Sequence, residues 1–202
     1  MADQQYMSGR QKYQRPQALL FSENPGQLVN GSYVPEGYEI NSGIIGIDTP
    51  NSFLILSDHS RGPITVKPTR IEQRQRTVNG HMRSYHVADK LTISTSWNLL
   101  PSRSFALDPL FDENGTTNVL DYTVDGGAGG NDLLNWYENH TGSFYVFLAY
   151  DKYPEFNTNP YQHLAQYNQV KEMFISNFDY TIEKRGGNTY DMWNVSITLE
   201  EA

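Results

Sequence analysis

The sequence predicts a mainly β fold, an antiparallel β-sandwich or barrel with one or two short helices and long projecting hairpins. Three observations predict it. Apolar runs are short and bounded by Asn, Asp, Ser, Gly and Pro; two long segments alternate apolar and polar residues around turn signals; and helical periodicity is confined to two brief stretches. Hydrophobic residues make up 38% of the 202, below the ~45–50% of an average domain. Uncharged polar residues and glycine fill the difference, and the 14 tyrosines suit sheets and protein interfaces, where a ring packs while its hydroxyl stays hydrogen-bonded.

Residues 1–40 are rich in Gln, Ser, Tyr, Pro and Gly without sustained periodicity, so they are expected to form an extended N-terminal arm that orders against a neighbouring subunit. Residues 41–202 are expected to be one β domain, with an acidic loop and helix inserted at about 104–141. Ile44 to Ile47 and Phe53 to Leu56 read as buried strands. Asn79-Gly80 marks a hairpin, because a type I′ turn needs φ > 0 at both central residues. After that turn, Leu91, Ile93, Thr95 and Trp97 alternate with polar residues and predict one packed face. Around it, Arg70, Glu72, Arg74, Arg76 and Arg83 leave the tip polar on both faces, so the hairpin is expected to project beyond the core.

Asn131 is a good N-cap for a helix carrying Leu133, Leu134, Trp136 and Tyr137, and the Gly126 to Gly130 run before it reads as a flexible linker. A second helix is expected from Tyr161 to Lys171, where Leu164, Tyr167 and Val170 have helical spacing. Between the two, Ser143 to Tyr150 is apolar on both faces and reads as a central strand. The C-terminus supplies another hairpin. Phe174, Phe178, Tyr180 and Ile182 are expected on one face of its first strand, with a turn at Lys184 to Asn188 and Trp193, Val195, Ile197 and Leu199 lining the return strand.

Chemistry-bearing motifs are weak throughout. The glycine run lacks both the G-x-x-x-x-G-K-[ST] pattern and the βαβ context of a dinucleotide turn. His81 and His86 are five apart on an extended segment and do not chelate one ion there; Asp108, Asp112, Glu113 and Asn114 lack calcium-loop spacing and read as turn chemistry. No nucleophile elbow is present, so no catalytic, cofactor-binding or metal-binding residue is predicted, no cofactor is expected, and the chain is expected not to be an enzyme. The four N-x-[ST] sequons, at Asn30, Asn114, Asn139 and Asn194, read as coincidence.

With 15 basic and 23 acidic residues the net charge is −8, which disfavours general binding to nucleic acid or anionic lipid. Zero cysteines exclude disulfides and fit assembly in a reducing cytoplasm. The N-terminal stretch has no apolar core of a signal peptide, and the apolar runs are too short to span a membrane, so no membrane anchor is expected. Charge is segregated along the chain: residues 104–140 are acidic without Lys or Arg, whereas 61–90 are net basic. Two readings stay open, neutralisation within one subunit or docking between copies.

Two hairpins carry a resemblance. Met173 to Glu183, a glycine turn and Tyr190 to Glu201 form a closing hairpin similar to those of bacteriophage tail-tube and distal-tail (baseplate) proteins, and Arg76 to Ser102 resembles their long tube-building hairpin. The pattern covers roughly residues 60–202, with 104–141 as the departure. The resemblance implies a structural subunit of a virion tail, assembled in the host cytoplasm into rings of hexameric or trimeric symmetry that meet other tail proteins. Genomic DNA would pass through without sequence-specific binding, and a negative wall suits such a conduit. The expected interface is the hairpin tip, Arg74, Arg76, Asn79, Gly80 and Arg83. The alternative is a carbohydrate- or receptor-binding β-sandwich module, with Trp136, Tyr137 and Tyr161 as exposed sugar platforms.

Overall fold

The computed structural model describes residues 18–29, 32–35, 53–108, 118–125, 127–150, 167–186 and 190–202. The chain order is β1 (Leu19–Ser22), β2 (Gln27–Val29), β3 (Ser32–Val34), β4 (Phe53–Ile55), β5 (Thr65–Arg76), β6 (Met82–Pro101), β7 (Phe105–Asp108) and β8 (Asn118–Asp121). Helix α1 (Gly130–Asn139), β9 (Phe144–Leu148), β10 (Gln169–Gly186) and β11 (Tyr190–Glu201) complete it. The protein is mainly β and antiparallel, as expected. Seven strands form one sheet in the order β4-β1-β9-β10-β11-β6-β5, while β2-β3 and β7-β8 are two-stranded sheets. Of the predicted strands, Ile44 to Ile47 lies outside the described residues.

The packed face follows from alternation. Ile93 and Trp97 of β6 and Val195, Ile197 and Leu199 of β11 are buried with at most 1% exposure, Trp193 is 6% exposed, and directly paired residues such as Leu199 and Ile93 share the face. Trp193→Ala is expected to cost about 3–5 kcal/mol, read as a lowered urea midpoint with unchanged m-value, because Trp193 packs under Tyr180 at 5.0 Å between centroids and against Gly130. β9 is the central strand its composition predicts: Phe144, Val146 and Leu148 enter the main core, and Phe147 a smaller cluster on the opposite face with Leu20, Phe53 and Ile55.

Five expectations are corrected. Residues 1–40 are not an arm throughout, since β1 is an inner strand between β4 and β9 with Leu19, Leu20, Phe21 and Ser22 buried, and β2-β3 folds back onto the smaller cluster through Tyr33. Its four apolar and small residues are enough to fill one layer of sheet on both faces. Residues 1–17, 30–31 and 36–40 of that segment, and the Leu164 end of the second predicted helix, fall outside the described residues. From Gln169 that second helix is instead strand, because Gln169, Val170 and Lys171 pair with Leu148, Phe147 and Val146.

The C-terminal hairpin also departs from simple alternation. A bulge between Ile175 and Asn177 shifts the parity of β10, so Ile175, Phe178, Tyr180 and Ile182 face the same side as Leu199, Ile197, Val195 and Trp193, while Phe174 points the other way with Glu200. A second bulge in β6 places Leu99 in the left-handed region at φ 56°, with its N–H donating to Asn194 Oδ1 at 2.9 Å.

Finally, the described part of the glycine run is close-packed rather than a flexible linker. A Cβ on Gly127 would lie 2.4 Å from Ser57 Cα, and one on Gly130 would lie 2.7 Å from the Trp193 ring. Asp125 fastens the same loop, accepting from Ser57 Oγ at 2.7 Å, Asp58 N at 2.7 Å and Gly127 N at 3.0 Å, and Ala128 bridges Leu56 in parallel at the outer edge of β4. Gly127→Ala forces backbone against backbone, so it is expected to destabilise by about 1–3 kcal/mol, seen as a fall of several degrees in Tm. Helix α1 begins two residues earlier than its Asn131 cap predicts: Gly129 is the N-cap, and Asp132 accepts the Gly129 N–H at 2.8 Å. Leu133 and Trp136 are buried against the sheet.

Candidate interaction site

Beyond Leu91, β5 and β6 leave the core as a two-stranded ribbon. β11 pairs with β6 only as far as Thr92, whereas β5 follows β6 out to the Arg76–Met82 pair. Every residue of β5 except Glu72 is exposed. The tip is a hairpin as expected, but not of type I′: Gly80 N donates to Thr77 O at 2.8 Å, and Gly80 alone has positive φ, at 78°, so Val78 and Asn79 are the central residues. A right-handed turn closed by a left-handed glycine is the three-residue solution to the same closure. Val78 at the apex is fully exposed, with Met82, Tyr85 and Val87 more than half exposed behind it.

Cross-strand pairing sorts the charges. Arg70, Glu72, Arg74 and Arg76 share a face with Asp89, His86, Ser84 and Met82, while Arg83 lies on the other face opposite Gln75. Arg70 Nε donates to Asp89 Oδ1 at 2.9 Å, and His86 Nε2 is 3.1 Å from the same oxygen. Arg74 Nε donates to Glu72 Oε1 at 2.6 Å, and Ser84 Oγ to Glu72 Oε2. These contacts hold both carboxyls below their ordinary range, Asp89 chiefly through the bond from Arg70 and Glu72 chiefly through the bond from Ser84. Asp89 in turn raises Arg70.

The five predicted tip residues are therefore not one cluster. Arg74 is held within its own ribbon; Arg76 and Arg83 carry guanidinium groups on opposite faces with no partner among the described residues; Asn79 and Gly80 shape the turn. Sequence reasoning found the basic ribbon but not what lies at the far end of the sheet. There, Tyr137 of α1 stacks on Phe178 at 4.8 Å and 10°, Phe178 meets Tyr180 at 6.1 Å, and Tyr180 stacks on Trp193 at 5.0 Å. Tyr137, Tyr180 and Ile182 are 42%, 46% and 54% exposed, so this aromatic strip is half open to solvent. Apolar residues at β10 were the available signal, obscured by the parity shift at the bulge.

A groove of ≈ 630 Å³ lies beside it, lined by Tyr137, Glu138, His140, Ser143, Phe174 and Ile175. His140 closes its inner wall, stacked on Trp136 at 3.8 Å with Nε2 3.1 Å from Glu23 Oε1. Trp136 is only 6% exposed. Of the predicted acidic cluster Asp108 to Asn114, everything past Asp108 lies outside the described residues, as does Tyr161. Among the described residues no group of three His, Asp or Glu side chains is placed to hold a metal, and no helix is long and apolar enough to cross a membrane. No protein-family model and no curated protein matches the chain.

Proposed function

We propose that the chain is a non-enzymatic, self-assembling structural subunit, of the bacteriophage-tail kind its hairpins resemble, which closes into rings around a conduit in the virion. One observation carries this reading: the strands β10-β11-β6-β5 form a slab with an unpaired margin on each side. β9 covers β10 only from Gln169 to Met173, so among the described residues no strand pairs with the outer margin of β10 from Phe174 onward, nor with that of β5 from Thr65 to Arg76. Exposed margins of that length invite pairing with another chain.

Polarity makes the two margins compatible. Each step from β10 to β5 is antiparallel, and an even number of strands separates the margins. A copy related by rotation therefore presents β10 antiparallel to the first copy's β5, and a head-to-tail contact of that kind closes into a ring when the rotation closes. The core and α1 occupy one face of the slab. The other presents Ser94 and Ser96, Ser196 and Thr198, and Asn177, Asp179 and Thr181, aligned row by row. Asp179 is the one charge among these seven. Such a face lines the conduit without gripping phosphates.

Of the three sugar platforms of the binding-module alternative, Trp136 is buried, the Tyr137 ring already stacks on Phe178, and Tyr161 lies outside the described residues. Mass photometry and negative-stain microscopy of the purified protein test the proposal. Discrete multiples of 23.1 kDa and annular particles are expected; a strict monomer at every concentration overturns it.

A further inference from the structure

At the apex of the β5-β6 ribbon, Asn79 is the one asparagine among the described residues that precedes a glycine. A main-chain nitrogen attacks the side-chain amide before it most readily when its own residue has no Cβ to block the approach. A Cβ built on Gly80 would meet nothing within 4 Å, so the loop is open on that side as well. Other described asparagines are engaged: the amides of Asn139, Asn168, Asn177 and Asn194 donate to Asn135 O, Tyr150 O, Asp179 Oδ2 and Glu183 Oε1. The Asn79 side chain is exposed and has no hydrogen-bond partner among the described residues.

Two features ease the attack. The Gly80 N–H makes one bond, to Thr77 O at 2.8 Å, in a loop whose Val78 is fully exposed, and opening so exposed a turn costs little free energy. Arg76 and Arg83 flank the loop in sequence, and residues 73–88 hold no carboxylate. Positive charge favours the anion that the Gly80 nitrogen becomes when it gives up its proton.

We propose that Asn79 is a self-modification site, at which the Gly80 main-chain nitrogen displaces ammonia from the Asn79 side chain. The Gly80 nitrogen loses its proton and bonds to Asn79 Cγ; the Cγ–Nδ2 bond breaks, and the amide nitrogen leaves as ammonia with that proton. Water then opens the cyclic imide. Addition at Cγ gives aspartate, whereas addition at the main-chain carbonyl breaks its bond to the Gly80 nitrogen and gives isoaspartate, with the chain running through Cγ. Asparagine and water become acid and ammonia, and nothing is oxidised or reduced. The chemistry needs neither a second copy nor a ring. Its product places the first carboxylate in residues 73–88. Isoaspartate also inserts a methylene into a loop closed by Thr77 N donating to His81 O at 2.9 Å and by Gly80 N donating to Thr77 O. Before Thr92, β6 pairs with β5 alone, so a loosened loop frees the ribbon while Ile93 and Trp97 stay in the core.

Trypsin cuts after Arg76 and Arg83 and releases Thr77 to Arg83 as one peptide. The full-length protein is kept folded in mildly alkaline buffer and sampled over days. Mass spectrometry of that peptide should show amide converted to acid, and a protein-isoaspartate methyltransferase should label it. Conversion should run within about tenfold of its rate in the urea-unfolded chain, as a locally opening turn allows. It should vanish in Asn79→Gln, whose longer side chain closes a larger and less favoured ring. Aged protein should exchange the amides from Arg74 to Ser84 about tenfold faster than fresh protein, the mark of a loosened segment, with an unchanged Tm. Freshly prepared Asn79→Asp gains the charge without the methylene and should not. An unaltered peptide, conversion slower than the tenfold limit, conversion confined to Asn30 or Asn114, or conversion that persists in Asn79→Gln overturns the site. Equal exchange in aged and fresh protein overturns the loosening of the ribbon.

Discussion

Removal of residues 1–35 is expected to abolish cooperative unfolding, leaving a chain with no thermal transition by circular dichroism. The deleted segment contains β1, whose Leu19 and Phe21 enter the main core and whose Leu20 enters the second, all at 1% exposure or less. β1 is also the sole strand joining β4 to β9 in the sheet. Phe21 meets Phe144 at 4.9 Å and Trp136 at 6.0 Å between ring centroids, so Phe21→Ala alone is expected to cost about 3–5 kcal/mol. Against a total stability of about 5–15 kcal/mol, losing that ring, two leucines and the backbone ladder on both sides exceeds what the rest of the fold holds in reserve. A truncated chain that melts cooperatively near the full-length temperature would show that β4 and β9 repack without it.

Replacing Arg74, Arg76 and Arg83 together by Glu is expected to eliminate assembly while moving the monomer's Tm by little. All three side chains are exposed on the ribbon, and the single ion pair lost, Arg74 with Glu72, is a surface pair, a class that contributes about 0–1 kcal/mol to folding. Across an interface the balance reverses. In the β5–β10 contact proposed for ring closure, carboxylates at 74 and 76 would lie beside a strand that holds Asp179 and Glu183 and no Lys or Arg between residues 172 and 183, and like charges across an interface cost several kcal/mol, a loss of at least about a hundredfold in affinity. Calorimetry and mass photometry on the same preparation separate the two effects. Normal assembly by the triple variant at low salt would remove the ribbon from the contact.

Alternation was the reliable signal in this chain. It places Ile93, Trp97, Val195, Ile197 and Leu199 in the core, because a strand with one wet face has a period of two that residue types reveal directly. β1 was hidden because Leu19 to Ser22 is too short to show a period and sits among Gln, Pro and Gly, whose composition suggests an arm. Burial on both faces comes from neighbours distant in sequence. Gly127 and Gly130 were misread for a related reason: a glycine that loosens a loop and one that lets two backbones touch are the same letter, and only the positions of Ser57 and Trp193 distinguish them. Likewise the Asn79-Gly80 pair signals a reversal, while the bond from Thr77 N to His81 O makes it a three-residue loop in which Gly80 takes the left-handed position. For the candidate site, the basic half was legible from charge spacing. The aromatic half needed the bulge in β10 and a helix 40 residues upstream of Phe178, roughly counted, neither of which local pattern encodes.

Ser176 is the surplus residue of the bulge in β10. It is exposed and small, and its hydroxyl makes one bond, to Thr198 O at 3.3 Å, so most substitutions there should pass unnoticed. Its deletion should pass as well: with 176 gone, Ile175, Asn177 and Phe178 oppose Leu199, Thr198 and Ile197 without a break, and every ring keeps its side. What the chain cannot do is keep Ser176 and run straight. Pressed into a regular ladder, everything from Phe178 to Ile182 would change sides: the rings would move into the Ser/Thr face, Asp179 and Thr181 would turn toward Trp193 and Val195, and Tyr137 would lose its stacking partner. Loss of the codon at 176 is therefore close to silent, whereas loss of a single codon between Phe178 and Ile182 inverts the strand beyond it. Among natural variants of this sequence, position 176 should accept almost any residue, or a gap.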